Sequence, residues 1–155
     1  MTKKFSMSDL EPMILEVLSK GGTFTFIPRG TSMLPLIREG LDSVILSPLC
    51  EKIYPGDIIL YKRDNGQFVL HRVMKVKKDS FTMCGDNQVV FEHGIRRHNM
   101  IAVVTGIIRD GEEITFSENK EYFSYMKNIL SEKKRKNFIY RLKHITKKYL
   151  LRITK

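Results

Sequence analysis

The chain has no tryptophan, only two cysteines and five prolines among 155 residues, and no acidic residue after Glu132. Cys50 and Cys84 form no C-x-x-C pair, which argues against a disulfide-built scaffold and fits a reducing compartment. Nowhere is there a run of ~20 apolar residues long enough to span a membrane. Lys3 and Lys4 are not followed by the apolar core of a secretory signal. These absences lead to the expectation of a cytoplasmic protein with no transmembrane segment. Cys84, Asp86, His93 and His98 are close in sequence but match no zinc spacing, so no metal and no other cofactor is expected. Neither an internal repeat nor a low-complexity linker is present.

What the chain does have is an uneven distribution of charge. Residues 133–155 hold ten Lys/Arg and no acid. Removing those ten from the 27 bases leaves 17, matching the 17 acids, so the net charge of +10 belongs to the tail. Two regions are expected: a β domain over 1–116 with its core at 23–108, and a basic helical tail over 117–155.

Ser8-Asp9-Leu10-Glu11 has the form of a capping box, followed by Leu10, Ile14, Val17 and Leu18 at helical spacing. Gly21 and Gly22 would close that helix. Short β-type runs follow at 23–27, 43–47, 57–61, 68–76, 80–84, 100–108 and 112–116. Pro55-Gly56, Asp64-Asn65-Gly66 and Asp110-Gly111 punctuate them as turns, which predicts a mainly β, antiparallel α+β fold. Beyond Ser117, Phe123, Met126, Ile129 and Leu130 space as one helix face. Phe138, Leu142, Ile145 and Tyr149 space as a second, predicting C-terminal helices.

Between the first two β-type runs lies RGTSMLPLIREG, residues 29–40. Gly30 permits backbone geometry that larger residues resist, and Pro35 discourages a helix, so the loop could expose Ser32 beside backbone N–H groups. A serine hydroxyl attacks a carbonyl only when a base takes its proton and donors stabilise the oxyanion. In VLHRV (69–73), alternation puts His71 on the face of Val69 and Val73, and Arg72 on the other. The imidazole is suited to general-base work near neutral pH. CGDNQVVFEH (84–93) then supplies Asp86 and Glu92: one carboxylate could orient His71, the other pair with Arg72.

TSMLP (31–35), PGDIILY (55–61), VLHRV and CGDN (84–87), in that order and spacing, resemble the signal peptidase and LexA-like serine peptidase superfamily. The resemblance covers roughly residues 23–108. It implies a coiled, barrel-like β fold, Ser32 as nucleophile and His71 as base, as in the His-type members. It also implies an Arg72–Asp86 pair, because the Asp of the GDN box generally bonds the Arg after the base. The His-type orienting Asp falls where this chain has Glu92, so the third catalytic residue stays open between Glu92 and Asp86. Gly30 stands where some members carry a side-chain oxyanion donor, leaving the backbone N–H of Ser32 with Thr31. Met33, beside the nucleophile, is expected to touch substrate or simply to pack.

The expected activity is that of a serine endopeptidase removing a leader or signal segment from a precursor peptide. A catalytically inactive peptide-binding module on the same fold is the alternative. The absence of an upstream regulatory domain and of an Ala-Gly dipeptide disfavours LexA-like self-cleavage. Nucleic-acid binding is disfavoured because the tail carries no recognised motif. Residues 134–153, basic around an apolar stripe, are instead expected to lie on an anionic membrane surface as a peripheral contact.

Overall fold

Eight antiparallel strands carry the fold, with one helix before them and one after, in a computed structural model that describes the backbone of residues 6–153 and the side chains of residues 6–140. The order is α1 (Met7–Ser19), β1 (Phe24–Phe26), β2 (Ser43–Ser47), β3 (Ile58–Lys62), β4 (Phe68–Val76), β5 (Phe81–Cys84) and β6 (Glu92–Ile95). Then come β7 (Met100–Arg109), β8 (Glu112–Thr115) and α2 (Lys120–Ile153). It is a mainly β, α+β architecture.

The strands form one sheet in the order β1-β2-β7-β3-β4-β5-β6, with β8 also on β7. Strand β7 is the hub, pairing with β2, β3 and β8 along its ten residues. The run Ile58-Ile59-Leu60-Tyr61 in β3 is wholly buried because the strand is covered on both faces. Ile58 and Leu60 join a core with Ile14 and Leu18 of α1 and with Met33 and Ile37 of the serine loop. Ile59 and Tyr61 face the other way, into a second core with Val69, Val73 and Met83. Helix α1 therefore supports the serine loop from below, and Lys62 anchors it to β3 through a 2.7 Å ion pair with Glu11.

Three local expectations need correction. The capping box of α1 is Ser6 with Asp9, not one beginning at Ser8. Ser6 Oγ accepts from the Asp9 N–H, and Asp9 Oδ2 accepts from the Ser6 N–H at 2.9 Å. Strand β6 has no counterpart in the expected set, because Glu92-His93-Gly94-Ile95 lacks apolar alternation and takes its conformation from pairing at the sheet edge. The C-terminal segment is one continuous helix, not several. Its first half packs on the sheet: Met126 lies against Gly56, Ile129 is buried, and Asn137 Nδ2 donates to the Val89 carbonyl at 3.0 Å. The Leu142, Ile145 and Tyr149 side chains of the expected apolar stripe lie outside the described residues. Among the described residues no helix is long and apolar enough to cross a membrane.

Candidate active site

Strand β4 carries His71 and Arg72 on opposite faces, and each organises a different half of the site. Arg72 is wholly buried. Its Nε and Nη2 donate to the two oxygens of Asp86 at 2.8 and 2.7 Å, and its Nη1 donates to the Gly56 carbonyl at 2.7 Å. Tyr125 adds a 3.0 Å hydrogen bond to Asp86 Oδ2. Burial alone would lower the Arg72 pKa, but the Asp86 carboxylate outweighs it and holds the guanidinium charged far above any working pH. One side chain thus fixes the PGD turn and the GDN loop together, and Tyr125 ties helix α2 to them.

The GDN loop in turn grips the serine loop. The Asn87 N–H donates to the Ser32 carbonyl at 2.8 Å, and Asn87 Nδ2 donates to the Thr31 carbonyl at 3.2 Å. Gly85 lies so near that a Cβ there would stand 2.5 Å from the Ser32 carbonyl oxygen and 3.0 Å from Ser32 Cβ. On its far side the loop ends at Asp42, fully buried and bonded to Arg38 and Arg109; Arg109 also donates to the Leu36 carbonyl. Burial would raise the Asp42 pKa, but the two guanidinium groups prevail and keep the carboxylate ionised. Ser32 is half-buried. Among the described residues its Oγ makes no hydrogen bond, and the N–H groups of Thr31, Ser32 and Met33 donate none. Those N–H groups are the donors present for an oxyanion. Met33 itself is buried in the core with α1, which makes it a packing residue.

His71 and Ser32 line one cavity of about 230 Å³, together with Gly30, Arg63 and Gln88. His71, Arg63 and Gln88 also line an adjoining recess of about 620 Å³ walled by Val89, Val90, Phe91 and Glu92. The two hollows therefore meet at the imidazole. Burial pulls the His71 pKa down to about 4; Glu92 draws it up, Arg63 pushes it down and Asp86 draws it up again, all with smaller effect. At neutral pH the ring is uncharged, the form a proton acceptor needs.

Neither carboxylate touches the imidazole. Both oxygens of Asp86 are taken by Arg72. Beyond its charge, Glu92 is linked to His71 by hydrogen bonds through Tyr61, whose hydroxyl donates to Glu92 Oε2 at 2.6 Å and lies 3.2 Å from His71 Nδ1. Arg63 grips Glu92 with Nε and Nη2 at 2.7 and 2.6 Å, holding its carboxyl below the usual carboxylate range. An ionised Glu92 can only accept, so the single Tyr61 proton goes to it. Tyr61 must then accept from His71, which fixes the tautomer as Nδ1–H and leaves Nε2 as the basic nitrogen.

Tyr61, Arg63 and Gln88 were not singled out by sequence reasoning. Tyr61 was within its reach: the Asp64-Asn65-Gly66 turn sets a register that pairs Tyr61 with Val69, on the His71 face. Lys133 had no such signal. It comes from α2, buried, with its ammonium on the Gln88 carbonyl, and burial lowers its pKa. Burial pushes the Cys84 thiol up to about 11, so it is a protonated packing group. Among the described residues no three His, Cys, Asp or Glu side chains are grouped to hold a metal ion. No family model, curated protein or solved structure matches the chain.

Proposed function

We propose that this chain is a serine endopeptidase of signal-peptidase type, built on the coiled β fold of that superfamily, which cuts a leader or signal segment from a precursor peptide. The observation that carries the reading is the shared cavity: Ser32 and a neutral His71 open onto the same space. Ser32 Oγ attacks the peptide carbonyl while His71 Nε2 takes its proton. The unpaired N–H groups of Thr31 and Ser32 receive the oxyanion. The imidazolium returns the proton to the leaving amine, giving an acyl-Ser32 ester. His71 then activates water to hydrolyse that ester. Glu92 acts on the imidazole through Tyr61, and Asp86 acts on the serine loop through Gly85 and Asn87. Val89 and Val90, exposed in the adjoining recess, suit an apolar residue of the leader.

Cleavage of a leader-bearing peptide is the test. Ser32→Ala and His71→Ala should each abolish nearly all turnover, with the double variant no worse, because the pair acts as one unit. A Ser32→Ala protein as fast as the parent rules the reading out. The rival, an inactive peptide-binding module, draws on Ser32 Oγ, which makes no hydrogen bond among the described residues. A parent that binds leader peptides without cutting them selects it.

A further inference from the structure

Away from Ser32, a groove of about 890 Å³ opens where β4, β5 and β6 end. Lys52, Lys77, Lys78, Arg96 and Arg97 line it, against only Glu51 and Asp79. That imbalance is local, since residues 1–132 as a whole are neutral. Among the described residues none of these cations forms an ion pair. Arg97 is nonetheless fixed in place, donating to the Cys50 carbonyl at 2.6 Å and reaching the Glu51 carbonyl at 3.4 Å. The floor is apolar, with Phe81 and Ile53 continuous with the His71-side core, and Tyr54 stands 60% exposed above it.

Strand β6 joins this groove to the candidate active site. Glu92, at its start, walls the recess beside His71, and Arg96, just past its end, lines the groove. Four residues of extended chain cover about 13 Å. Strand β6 is the edge of the sheet, paired on one side only by β5 among the described residues. A polypeptide lying along it would have one part at His71 and another among the cations.

We propose that the groove is a docking site for an acidic, partly apolar segment of the same peptide that is cut at Ser32, laid along β6. The proposal rests on the peptidase reading for its substrate and on charge complementarity for its chemistry. Cations bind carboxylates while Tyr54, Val76 and Phe81 take the interleaved apolar side chains.

The test uses the full chain and a reversal variant carrying Lys77→Glu, Lys78→Glu and Arg96→Glu, all exposed and outside the Ser32 cavity. Fluorescence anisotropy follows a labelled peptide alternating Glu and Leu, with a Lys/Leu peptide as control. The parent should bind the acidic peptide and not the basic one, and the reversal should weaken binding by about tenfold or more, with an unchanged unfolding midpoint. A substrate with a Glu/Leu segment about four residues from the cut bond should lose kcat/KM in the variant through KM. A short uncharged substrate should be cut at the parent rate. Equal affinity of parent and variant for the acidic peptide overturns the proposal. So does a reversal that abolishes binding of duplex DNA or phosphatidylserine vesicles but leaves the peptide bound. Failure of the peptidase reading is distinct: the parent then cuts neither substrate, while the reversal still removes acidic-peptide binding.

Discussion

Asn87 holds Ser32 from behind, its backbone N–H donating to the Ser32 carbonyl at 2.8 Å. Its neighbour Asp86 is fixed by Arg72, one residue after His71 on β4. A single strand therefore sets both partners of the candidate site, one directly and the other through the GDN loop.

Removing the Asp86 charge tests that linkage. Arg72 and Asp86 are 0% and 1% exposed, so Asp86→Asn leaves a buried guanidinium without its counterion. The expected loss is about 3–5 kcal/mol of stability in urea unfolding, with cleavage falling as the loop loosens. A variant as stable as the parent would show that the pair does not hold the loop.

Gly85→Ala probes the same grip without touching charge. The added methyl would meet the Ser32 carbonyl oxygen at 2.5 Å, a backbone atom that cannot swing aside. Overpacking of this kind costs about 1–3 kcal/mol, and turnover should fall more steeply than stability because Ser32 itself is displaced. Full activity in this variant would contradict the close contact.

Tyr61→Phe separates orientation from packing. The ring stays in the core while the hydroxyl between Glu92 and His71 is lost. Turnover should drop about tenfold or more through kcat. The ring ¹⁵N shifts should move from the Nδ1–H pattern to a mixture of tautomers. Unchanged shifts would remove Tyr61 from the account, and Glu92→Gln should act in the same direction.

Burial of His71 predicts a pH dependence with a definite sign. The folded ring titrates at about 4 and the unfolded ring near 6.5, so between these values only the unfolded chain takes up the proton. The contribution of this group is therefore complete above pH 6.5 and is lost as pH falls toward 4, on the order of 3 kcal/mol in all. Urea titrations of His71→Gln should show a shallower decline over that window. An identical slope in the variant would mean His71 is not held neutral by the fold.

The basic tail predicts co-sedimentation with anionic vesicles at low salt and none with neutral ones. Lys133 and Asn137 belong to the packed half of α2, so the informative truncation ends at Tyr140, after both contacts. Loss of binding on truncation assigns the membrane contact to residues 141–155. Full-length protein that ignores anionic vesicles removes the membrane role.

The β-type runs at 43–47 and 68–76 match β2 and β4 residue for residue, because their apolar content and flanking turns agree with burial on both faces. Strand β6 was illegible: its polar Glu-His-Gly sequence carries no period of two, and only pairing with β5 makes it a strand. Within the site, Ser32, His71 and the Arg72–Asp86 pair could be named from short motifs. Tyr61 is placed on the His71 face by the hairpin register, but its bond to Glu92 is not, since that partner lies 31 residues away on another strand. Lys133 and Asn137 were hidden for a similar reason: within a strongly basic helix, nothing local marks which side chains turn inward.

Trapping of an acyl-enzyme asks whether Ser32 is the nucleophile. The full chain is mixed with an activated ester of a short apolar peptide, quenched in acid, and the adduct is mapped by mass spectrometry. One acyl group should form on Ser32 in the parent, be absent from Ser32→Ala and form much more slowly in His71→Ala. An unmodified parent, or an acyl group on any other residue, would contradict it.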